Sequence, residues 1–435
     1  MFKSILRFVF VCAEMLISPF YLLVAIFVAL YVRYKSPVHD VHKKRLVWGD
    51  APIINNKYWS DAMCFGGWNS QIYTDGYSSS INTRNDYGRI LEEEYPRIHK
   101  KISRYFAFLE SLTKYDVFFI SFNGFFLGGT SLWRLEAWLF KVSGKKTVII
   151  PFGLDSYIYS RLHSPALLHG LMMSVPEPSR KQKLIAARVD YWCRHADVVN
   201  PGVMGPDGFG RWDVLAPSSL CIDDRRWIAK ENYSANDGKN GPVRVVHSPN
   251  HRGFKGTEFV VEAVNALKAE GLDIDFIIIE KMQNSEVKTV LEEKADILVE
   301  QLICTGHGLN ALEGLASGNP VISNLENEEI CLPFRRWSFL DECPIVSSSP
   351  EKIKDTLRAL VTSPALREEL GRAGRQYVEK YHGLDAMTFF WGSIVCKLYD
   401  DRVDLINLYH PLLSERLKGK EKIKHPLIRS QLVRG

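Results

Sequence analysis

Residues 296–323 constrain the fold of this chain more than any other segment. A short apolar strand at 297–299 is predicted to lead into a glycine-containing turn and then into a helix rich in alanine and leucine. A turn of small residues at 317–320 precedes a second predicted strand at 321–323. In a strand–loop–helix–strand unit, ligands bind at the loop that follows the strand, and the helix N-terminus attracts anions. The segment therefore predicts a parallel α/β domain with a binding site at this loop.

The loop and the helix carry polar groups that such a site can use. Gly306, His307 and Gly308 form the predicted turn, and Glu313 stands one turn into the helix. Backbone amides near the two glycines can approach phosphates, and the glutamate can accept hydrogen bonds from sugar hydroxyls. An ordinary βαβ unit with a solvated glutamate is the alternative.

A second loop adds two cations upstream. Residues 243–248 are predicted as a strand, and the polar loop 249–256 holds Arg252 and Lys255 before a helix with apolar residues at helical spacing. A forked guanidinium and a point-charge ammonium suit a diphosphate. Most such pairs are solvated surface charge, but this one lies one βα unit into the same predicted domain.

Together the two segments resemble the donor half of GT-B glycosyltransferases, specifically the retaining group called family 4. The run HSPNHRGFKGTEFVVEAV is similar to the family's Arg…Lys-Gly phosphate motif, and Glu313 with the following Gly-Asn-Pro-Val turn is similar to the second half of its donor-sugar motif. The family carries an acid eight residues before this glutamate, and Thr305 stands there instead.

The resemblance implies two Rossmann-like doubly wound α/β domains facing across a cleft, a nucleotide-sugar substrate, retention of configuration and no cofactor. It implies that Arg252 and Lys255 neutralise the departing diphosphate, with backbone amides near the glycines of the turn, and that Glu313 holds the ribose. His307 or Glu300 is the candidate to replace the missing acid near the donor sugar.

The first half of the chain also alternates strands and helices, as in a parallel doubly wound sheet. Loops at the carboxyl ends of its strands are expected to face the second domain, which makes Gly49 and Asp50 candidates on the acceptor side. Asp155, in a Gly-x-Asp element, and His251 are the candidates to assist catalysis. A helix-capping aspartate is the alternative for Asp155.

A chain of 435 residues with 46% hydrophobic content can bury two sizeable cores. The eight cysteines lack a CxxC spacing and the twelve histidines lack a paired-ligand spacing, so we expect reduced thiols and no metal centre. We expect six segments: a membrane anchor with a basic flank (1–44), an N-terminal Rossmann-like acceptor domain (45–217), an exposed linker (218–242), a C-terminal Rossmann-like nucleotide-sugar domain (243–385), a closing helix (386–410) and a basic tail (411–435).

Residues 15–32 form an uncharged apolar run long enough to cross a bilayer. Cations follow it more densely than they precede it, so the positive-inside rule predicts cytoplasmic domains on a membrane-anchored chain. A re-entrant segment bent at Pro19 and a cleaved signal peptide are the alternatives. The basic tail suits an anionic membrane surface or is a solvated tail, and nucleic-acid binding is disfavoured because no motif accompanies the charge.

The sequence thus predicts a membrane-associated glycosyltransferase that moves a sugar from a nucleotide-sugar donor to a lipid-linked or membrane-proximal glycan acceptor. Surface polysaccharide or glycolipid biosynthesis is the expected setting. A sugar-nucleotide epimerase of the same architecture is one alternative. A non-catalytic GT-B-like subunit of a polysaccharide-synthesis complex is the other, and the missing acid at Thr305 is the reason to consider it.

Overall fold

The computed structural model describes residues 2–35, 40–77, 83–202, 208–424 and 426–432, with side chains described for Glu14 and from Ser18 onward. Two parallel sheets form the cores of two α/β domains.

The first sheet has the strand order β3-β2-β1-β4-β5-β6, and all its described pairings are parallel. Its strands are short and apolar, and helices cover both faces, as parallel sheets require. They are β1 (Arg45–Trp48), β2 (Asn69–Thr74), β3 (Arg89–Ile90), β4 (Val117–Ile120), β5 (Lys146–Ile149) and β6 (Val198–Val199).

The second sheet has the order β11-β10-β9-β7-β8, again with parallel pairings. Its strands are β7 (Val243–His247), β8 (Ile274–Ile278), β9 (Ile297–Thr305), β10 (Val321–Asn324) and β11 (Val346–Ser347). The register of β9 against β10 shifts twice near its end, and this irregularity allows β9 to continue well beyond the predicted residues 297–299.

Helices connect and cover the strands. In chain order they are α1 (Phe2–Lys35), α2 (Asn55–Phe65), α3 (Leu91–Glu94), α4 (Lys100–Lys114), α5 (Glu136–Val142), α6 (Pro165–Ser174), α7 (Gln182–His195), α8 (Arg252–Lys255), α9 (Thr257–Ala269), α10 (Asn284–Thr289), α11 (Leu309–Ala316), α12 (Glu328–Trp337), α13 (Ile353–Val361), α14 (Pro364–Tyr381) and α15 (Leu384–Lys397).

Each sheet has one point where the chain reverses its direction of strand addition. This point lies between β1 and β4 in the first sheet and between β7 and β9 in the second. Ligands of doubly wound proteins bind in the crevice outside the carboxyl ends of the strands at such a point. The predicted fold class, two Rossmann-like domains facing across a cleft, is confirmed.

Helix α15 returns to the N-terminal domain, as expected for the closing helix. Trp391 packs among three aromatic side chains of that domain, with ring centroids 5.1 Å from Trp48, 5.4 Å from Trp59 and 5.7 Å from Phe119. Thr388 donates a hydrogen bond to the carbonyl of Ala62. A fully buried aromatic cluster of this size ties the two domains together through α15.

The connection between the domains is more buried than an exposed linker would be. Leu220, Cys221, Ile222 and Trp227 all lie in the largest hydrophobic core. The polar residues at 231–241 are more accessible. The apolar residues near the start of the connection therefore belong to the packed structure.

The C-terminal segment also lies against the protein. Tyr409 is buried beside Phe339 and Phe390, and Leu427 reaches the core of the C-terminal domain. Arg416 forms an ion pair of 3.2 Å with Asp385. The basic tail is thus ordered on the domain surface over its described part, and protein acids offset some of its charge.

Helix α1 contains one segment, Ser18–Lys35, that is long and apolar enough to cross a membrane by length and composition. Its inner face packs on the N-terminal domain, where Tyr21, Ala25, Ala29 and Val32 are buried. A hydrogen bond from the Tyr21 hydroxyl to the carbonyl of Tyr105 fixes it on α4.

Candidate functional site

A cavity of about 360 Å³ lies between the two domains at the carboxyl ends of both sheets. Its N-terminal wall is formed by α2 and by the loops after β5 and β6, and its C-terminal wall by the loops after β7 and β9. The C-terminal wall is at the reversal point of the second sheet, where a doubly wound domain binds its ligand. The volume falls in the range of small-molecule sites.

Lys255 places a buried ammonium group in this wall. The short helix α8 ends with it, and its Nζ donates to the Glu300 carboxylate and, at 2.8 Å, to Gln301 Oε1. Glu300 is itself buried and accepts from the amide of Gly308 and, at 3.0 Å, from the hydroxyl of Ser323. A buried ion pair persists only with such supporting hydrogen bonds.

The N-terminus of α11 points at the same wall. Gly308 occupies its N-cap position, and none of the described side chains caps the helix. An eight-residue helix without a cap leaves its first amides available to an anionic ligand. Gly306 has φ +105°, which favours glycine, but its amide already donates to the carbonyl of Asn324. The Gly308 amide also donates, to the Glu300 carboxylate, so the free amides nearest the cavity are those of the first turn of α11 that follows Gly308.

His307 lies between these glycines and lines the cavity. The residue is completely buried, and neither ring nitrogen has a hydrogen-bond partner among the described residues. His382, whose ring centroid is 5.9 Å away, donates through Nδ1 to the Leu220 carbonyl, and its Nε2 has no partner among the described residues. Burial lowers the pKa of His307 and lowers that of His382 to about 3, so both rings are neutral. Unpaired buried polar atoms are rare in folded proteins and indicate a missing ligand or water.

Arg252 does not lie with Lys255, although the two are three residues apart. Its guanidinium is exposed and forms ion pairs with Glu258 at 2.9 Å and with Glu280 at 3.3 Å. The side chain is absent from the cavity wall. Of the two cations predicted for a diphosphate, the structure brings only Lys255 to the cavity, and Arg252 could reach it only by leaving both acids.

Glu313 lies on α11 and faces the N-terminal domain. Its carboxylate accepts from Asn310 Nδ2 at 3.2 Å, and burial raises its pKa to about 7. Burial and, next, the Glu313 charge raise the pKa of Tyr58 on α2, which places the two side chains close together. Asn284 donates to the Tyr58 hydroxyl at 3.4 Å, so residues of both domains meet beside Glu313.

The predicted site residues of the N-terminal domain form hydrogen bonds and ion pairs within that domain. Asp155 accepts from the amides of Phe122, Phe152 and Gly153, each at 3.0 Å, and its carboxylate joins the loops after β4 and β5. Burial raises its pKa to about 6. Its contacts are those of a loop-capping aspartate, and its neighbours in sequence, rather than its carboxylate, line the cavity.

Gly49 and Asp50 follow β1, at the reversal point of the first sheet. A side chain at Gly49 would collide with the carbonyl of Tyr73, so the close approach requires glycine. Asp50 is buried and forms an ion pair of 3.2 Å with Arg104, while burial raises its pKa to about 7. Neither residue lines the cavity, so any contact with an acceptor would involve a separate part of the cleft.

His251 and Thr305 remain at the edge of the site. Both line the cavity, and His251 is exposed, with its pKa lowered by partial burial and by Lys255. Thr305 ends β9 in the place where the resemblance predicts an acid. The nearest buried acid is Glu300, five residues earlier in β9, which lies behind the cavity lining and pairs with Lys255.

Several cavity residues carried no signal in the sequence. Asn55, at the start of α2, lines the cavity with an unpaired buried Oδ1. Gln301 and Ser174 position the wall, since Ser174 Oγ accepts from the Phe254 amide at 2.8 Å across the domain boundary. Asn55 could have been found from its place in the first βα unit, which matches that of α8 in the second domain.

No protein-family model matches the chain, and no curated protein matches it. Among solved structures, it is similar to a sucrose-phosphate synthase from Thermosynechococcus elongatus, with 14% identity over 82% of this chain and 99% of that one, at a TM-score of 0.49. It is also similar to a putative UDP-N-acetylglucosamine 2-epimerase from Listeria monocytogenes (10% identity, 84% and 99% covered, TM-score 0.44). A third is the catalytic domain of starch synthase IV from Arabidopsis thaliana (8% identity, 82% and 99% covered, TM-score 0.42). Similarity at this level carries no argument about activity.

Proposed function

We propose that this protein is a membrane-associated glycosyltransferase that transfers a sugar from a nucleotide-sugar donor to a lipid-linked or membrane-proximal glycan acceptor. The transfer would retain the anomeric configuration, as in family 4, and would serve surface polysaccharide or glycolipid biosynthesis. The catalytic domains would lie in the cytoplasm.

One observation carries the proposal: groups that complement a diphosphate and a sugar meet in one cavity wall, where Lys255 itself pairs with Glu300 and Gln301. Lys255 Nζ, the uncapped N-terminus of α11 and the unpaired ring of His307 lie side by side at the reversal point of the second sheet. An ammonium group and helix amides complement a diphosphate. A neutral imidazole with a free donor and a free acceptor complements sugar hydroxyls.

The donor would therefore place its diphosphate between Lys255 and α11, and its sugar against His307. Glu313 would accept hydrogen bonds from the ribose, in a corner to which Tyr58 of the other domain also contributes. Bringing an anion to Lys255 would loosen its contact with Glu300, and the freed carboxylate could then accept from a donor hydroxyl. Glu300 would thus take the part of the acid missing at Thr305.

In the transfer step, the acceptor oxygen would bond to the anomeric carbon as the bond from that carbon to the diphosphate oxygen breaks. The nucleoside diphosphate leaves with the electron pair, and the acceptor proton passes to a donor phosphate oxygen. Lys255 and the α11 amides stabilise the charge that grows on the leaving group. His251, at the cavity edge, is a candidate to assist the proton transfer, whereas the three amides held by Asp155 favour a positioning role for that residue.

A thermal-shift screen of nucleoside diphosphates and nucleotide sugars tests the donor site, because a ligand that binds only the folded state raises its melting temperature. Mass spectrometry of lipid-linked glycans incubated with the best donor then tests transfer. One added sugar on the lipid, together with free nucleoside diphosphate, supports the proposal. An epimerised sugar nucleotide formed without acceptor would indicate the epimerase alternative. No thermal shift with any nucleotide would favour a non-catalytic subunit.

A further inference from the structure

Helix α1 has two apolar faces, and the N-terminal domain covers only one of them. The inner face packs on α4 and α5 through Tyr21, Ala25, Ala29 and Val32. On the opposite face, five large apolar side chains are between 54% and 90% exposed: Phe20, Leu23, Phe27, Leu30 and Tyr34. Their spacing of three and four residues gives one continuous stripe along the helix. Monomeric soluble proteins rarely expose a stripe of this kind.

The helices beneath α1 extend the apolar surface. Ile102 and Phe106 of α4 are 43% and 50% exposed and flank Tyr105, whose ring contacts Tyr21. Trp138 of α5 is 44% exposed and follows Ala137, a member of the core under α1. An exposed tryptophan and tyrosines beside aliphatic residues are typical of the interface between water and lipid.

The helices that carry this surface expose more cations than acids, and the nearest exposed acids, Glu92, Glu93 and Glu94, lie on the neighbouring α3. The helices α1, α4 and α5 and the turn before α5 carry six exposed cations: Arg33, Lys35, Lys101, Lys114, Arg134 and Lys141. The described acids of α1, α4 and α5 are Glu14, Glu110 and Glu136, and none of them is exposed. An excess of cations beside an apolar stripe complements anionic lipid headgroups.

The direction of α1 aligns this surface with the cleft. Glu14 accepts from the amide of Ser131, in the connection after β4, on the cleft side of the sheet. Arg33 lies beside Gly144, two residues before β5 and therefore at the opposite edge. The helix runs across the sheet from the cleft edge to the far edge, with its inner face in contact over this length.

We propose that the outward face of α1, with Ile102, Phe106 and Trp138, docks flat on an anionic lipid bilayer instead of crossing it. The segment with the composition of a membrane span is the same segment that packs on α4 and α5. Spanning would require it to leave the domain and expose the inner face and Tyr105. Lying in the plane, α1 keeps these contacts and buries its outer face to a depth of about 5–10 Å. This inference rests on the proposed membrane association and specifies its geometry.

Co-flotation of the full chain with vesicles of phosphatidylcholine and phosphatidylglycerol in a 7:3 ratio tests the surface. We expect the Leu23→Glu/Phe27→Glu variant to partition roughly tenfold less or weaker still, with an unchanged melting temperature. Ile228→Glu, at an equally exposed apolar residue on the interdomain connection, should float like the unmodified protein. Equal flotation of the Leu23/Phe27 variant overturns the proposal. A second outcome also overturns it: the unmodified protein does not float but forms a concentration-dependent dimer in sedimentation, and the Leu23/Phe27 variant does not form this dimer.

Depth measurements separate docking from spanning. Nitroxide labels on cysteines introduced at Phe20, Phe27 and Tyr34, with Cys12 and Cys64 replaced by serine, should report one shallow depth. A gradient that reaches the bilayer centre at residue 27 would show a spanning helix and overturn the inference. Sugar transfer to a water-soluble acceptor analogue is measured on the same variants. If neither the variants nor the unmodified protein transfers sugar, this result would count against the transferase proposal. The vesicle results would still stand.

Discussion

The two sheets present polar side chains to the same cleft, but they treat them differently. At the edge of the first sheet the acids are satisfied from within: Asp155 holds three backbone amides, Glu136 holds those of Phe125 and Leu127, and Asp50 pairs with Arg104. At the edge of the second sheet, both nitrogens of His307 and the Oδ1 of Asn310 are buried without partners among the described residues, a property that Asn55 Oδ1 of the first domain shares.

This difference separates residues whose contacts stabilise the protein from residues whose polar atoms are free to contact a ligand. A buried carboxylate that accepts several amide hydrogen bonds stabilises the loops around it. A buried polar group without a partner costs free energy, and in a cavity wall a ligand can supply that partner. The comparison assigns binding to the C-terminal domain and a scaffolding role to the acids of the N-terminal domain. Four predictions test this assignment.

The largest effect is expected on stability, at Asp155. The Asp155→Ala substitution removes the acceptor of three amide N–H groups, two of them in the loop after β5, and should lower the free energy of unfolding by about 4 kcal/mol. Urea denaturation measures it. Asp404→Ala removes an exposed capping carboxylate from the segment after α15 and should cost less than about 1 kcal/mol. A stable Asp155→Ala protein without transfer activity would make Asp155 catalytic and reverse the comparison.

The second prediction concerns Lys255. Replacing it alone would leave the Glu300 carboxylate buried and unpaired, so we pair the changes as Lys255→Met/Glu300→Gln. We expect the double variant to fold and its kcat/KM for the donor to fall about 100-fold or more, because the charged contact to the leaving group and the carboxylate proposed for the donor sugar are both lost. Steady-state kinetics with matched melting curves measure this.

Arg252→Ala is the matched control, since Arg252 is a cation on the same short helix that faces Glu258 and Glu280. Its kcat/KM should change less than about threefold. A loss at Arg252 as large as that at Lys255 would show that the guanidinium turns into the cleft when donor binds.

These two residues also show where sequence reasoning succeeds and where it stops. The βα pattern places residues 249–256 and 306–308 at one edge of a parallel sheet, and the structure has both loops in one cavity wall. The direction of Arg252 depends on Glu280, which is 28 residues away and follows β8. No local pattern contains that information.

Contacts that are distant in sequence also decide the roles of Asp155 and α1. A Gly-x-Asp element after a strand is compatible with catalysis and with loop capping, and only the amides of Phe122 and Phe152 distinguish them. The composition of residues 15–32 predicts an apolar environment on all sides. The structure divides that environment between α4 and α5 on one face and an exposed stripe on the other, because the packing partners lie about 80 to 120 residues later.

The third prediction reverses the usual effect of a buried substitution. His307→Phe removes two unpaired ring nitrogens from a buried site and should raise the melting temperature of the ligand-free protein. It should weaken donor binding roughly tenfold, because the hydrogen bonds to the sugar are lost. Differential scanning fluorimetry and isothermal titration calorimetry measure the two effects. Lower stability of the variant would show that the ring is already satisfied in the absence of ligand.

The smallest effect is expected from the titration of Glu313. Burial raises its pKa to about 7 in the folded state, above its unfolded value, so the folded protein holds this proton more tightly and loses stability as pH rises from about 5 to 7. Ribose hydroxyls donate to the ionised carboxylate, so donor affinity should change in the opposite sense and increase about fivefold between pH 6 and pH 8.

Other buried acids titrate nearby, so the comparison is made against Glu313→Gln, in which the affinity should be nearly independent of pH. If the variant keeps the full dependence, Glu313 belongs with the satisfied acids of the first sheet, and the ribose binds elsewhere. If only the unmodified protein shows the pH dependence of donor affinity, the ligand donates hydrogen bonds to the Glu313 carboxylate. Within the described residues, the single direct partner of this carboxylate is Asn310.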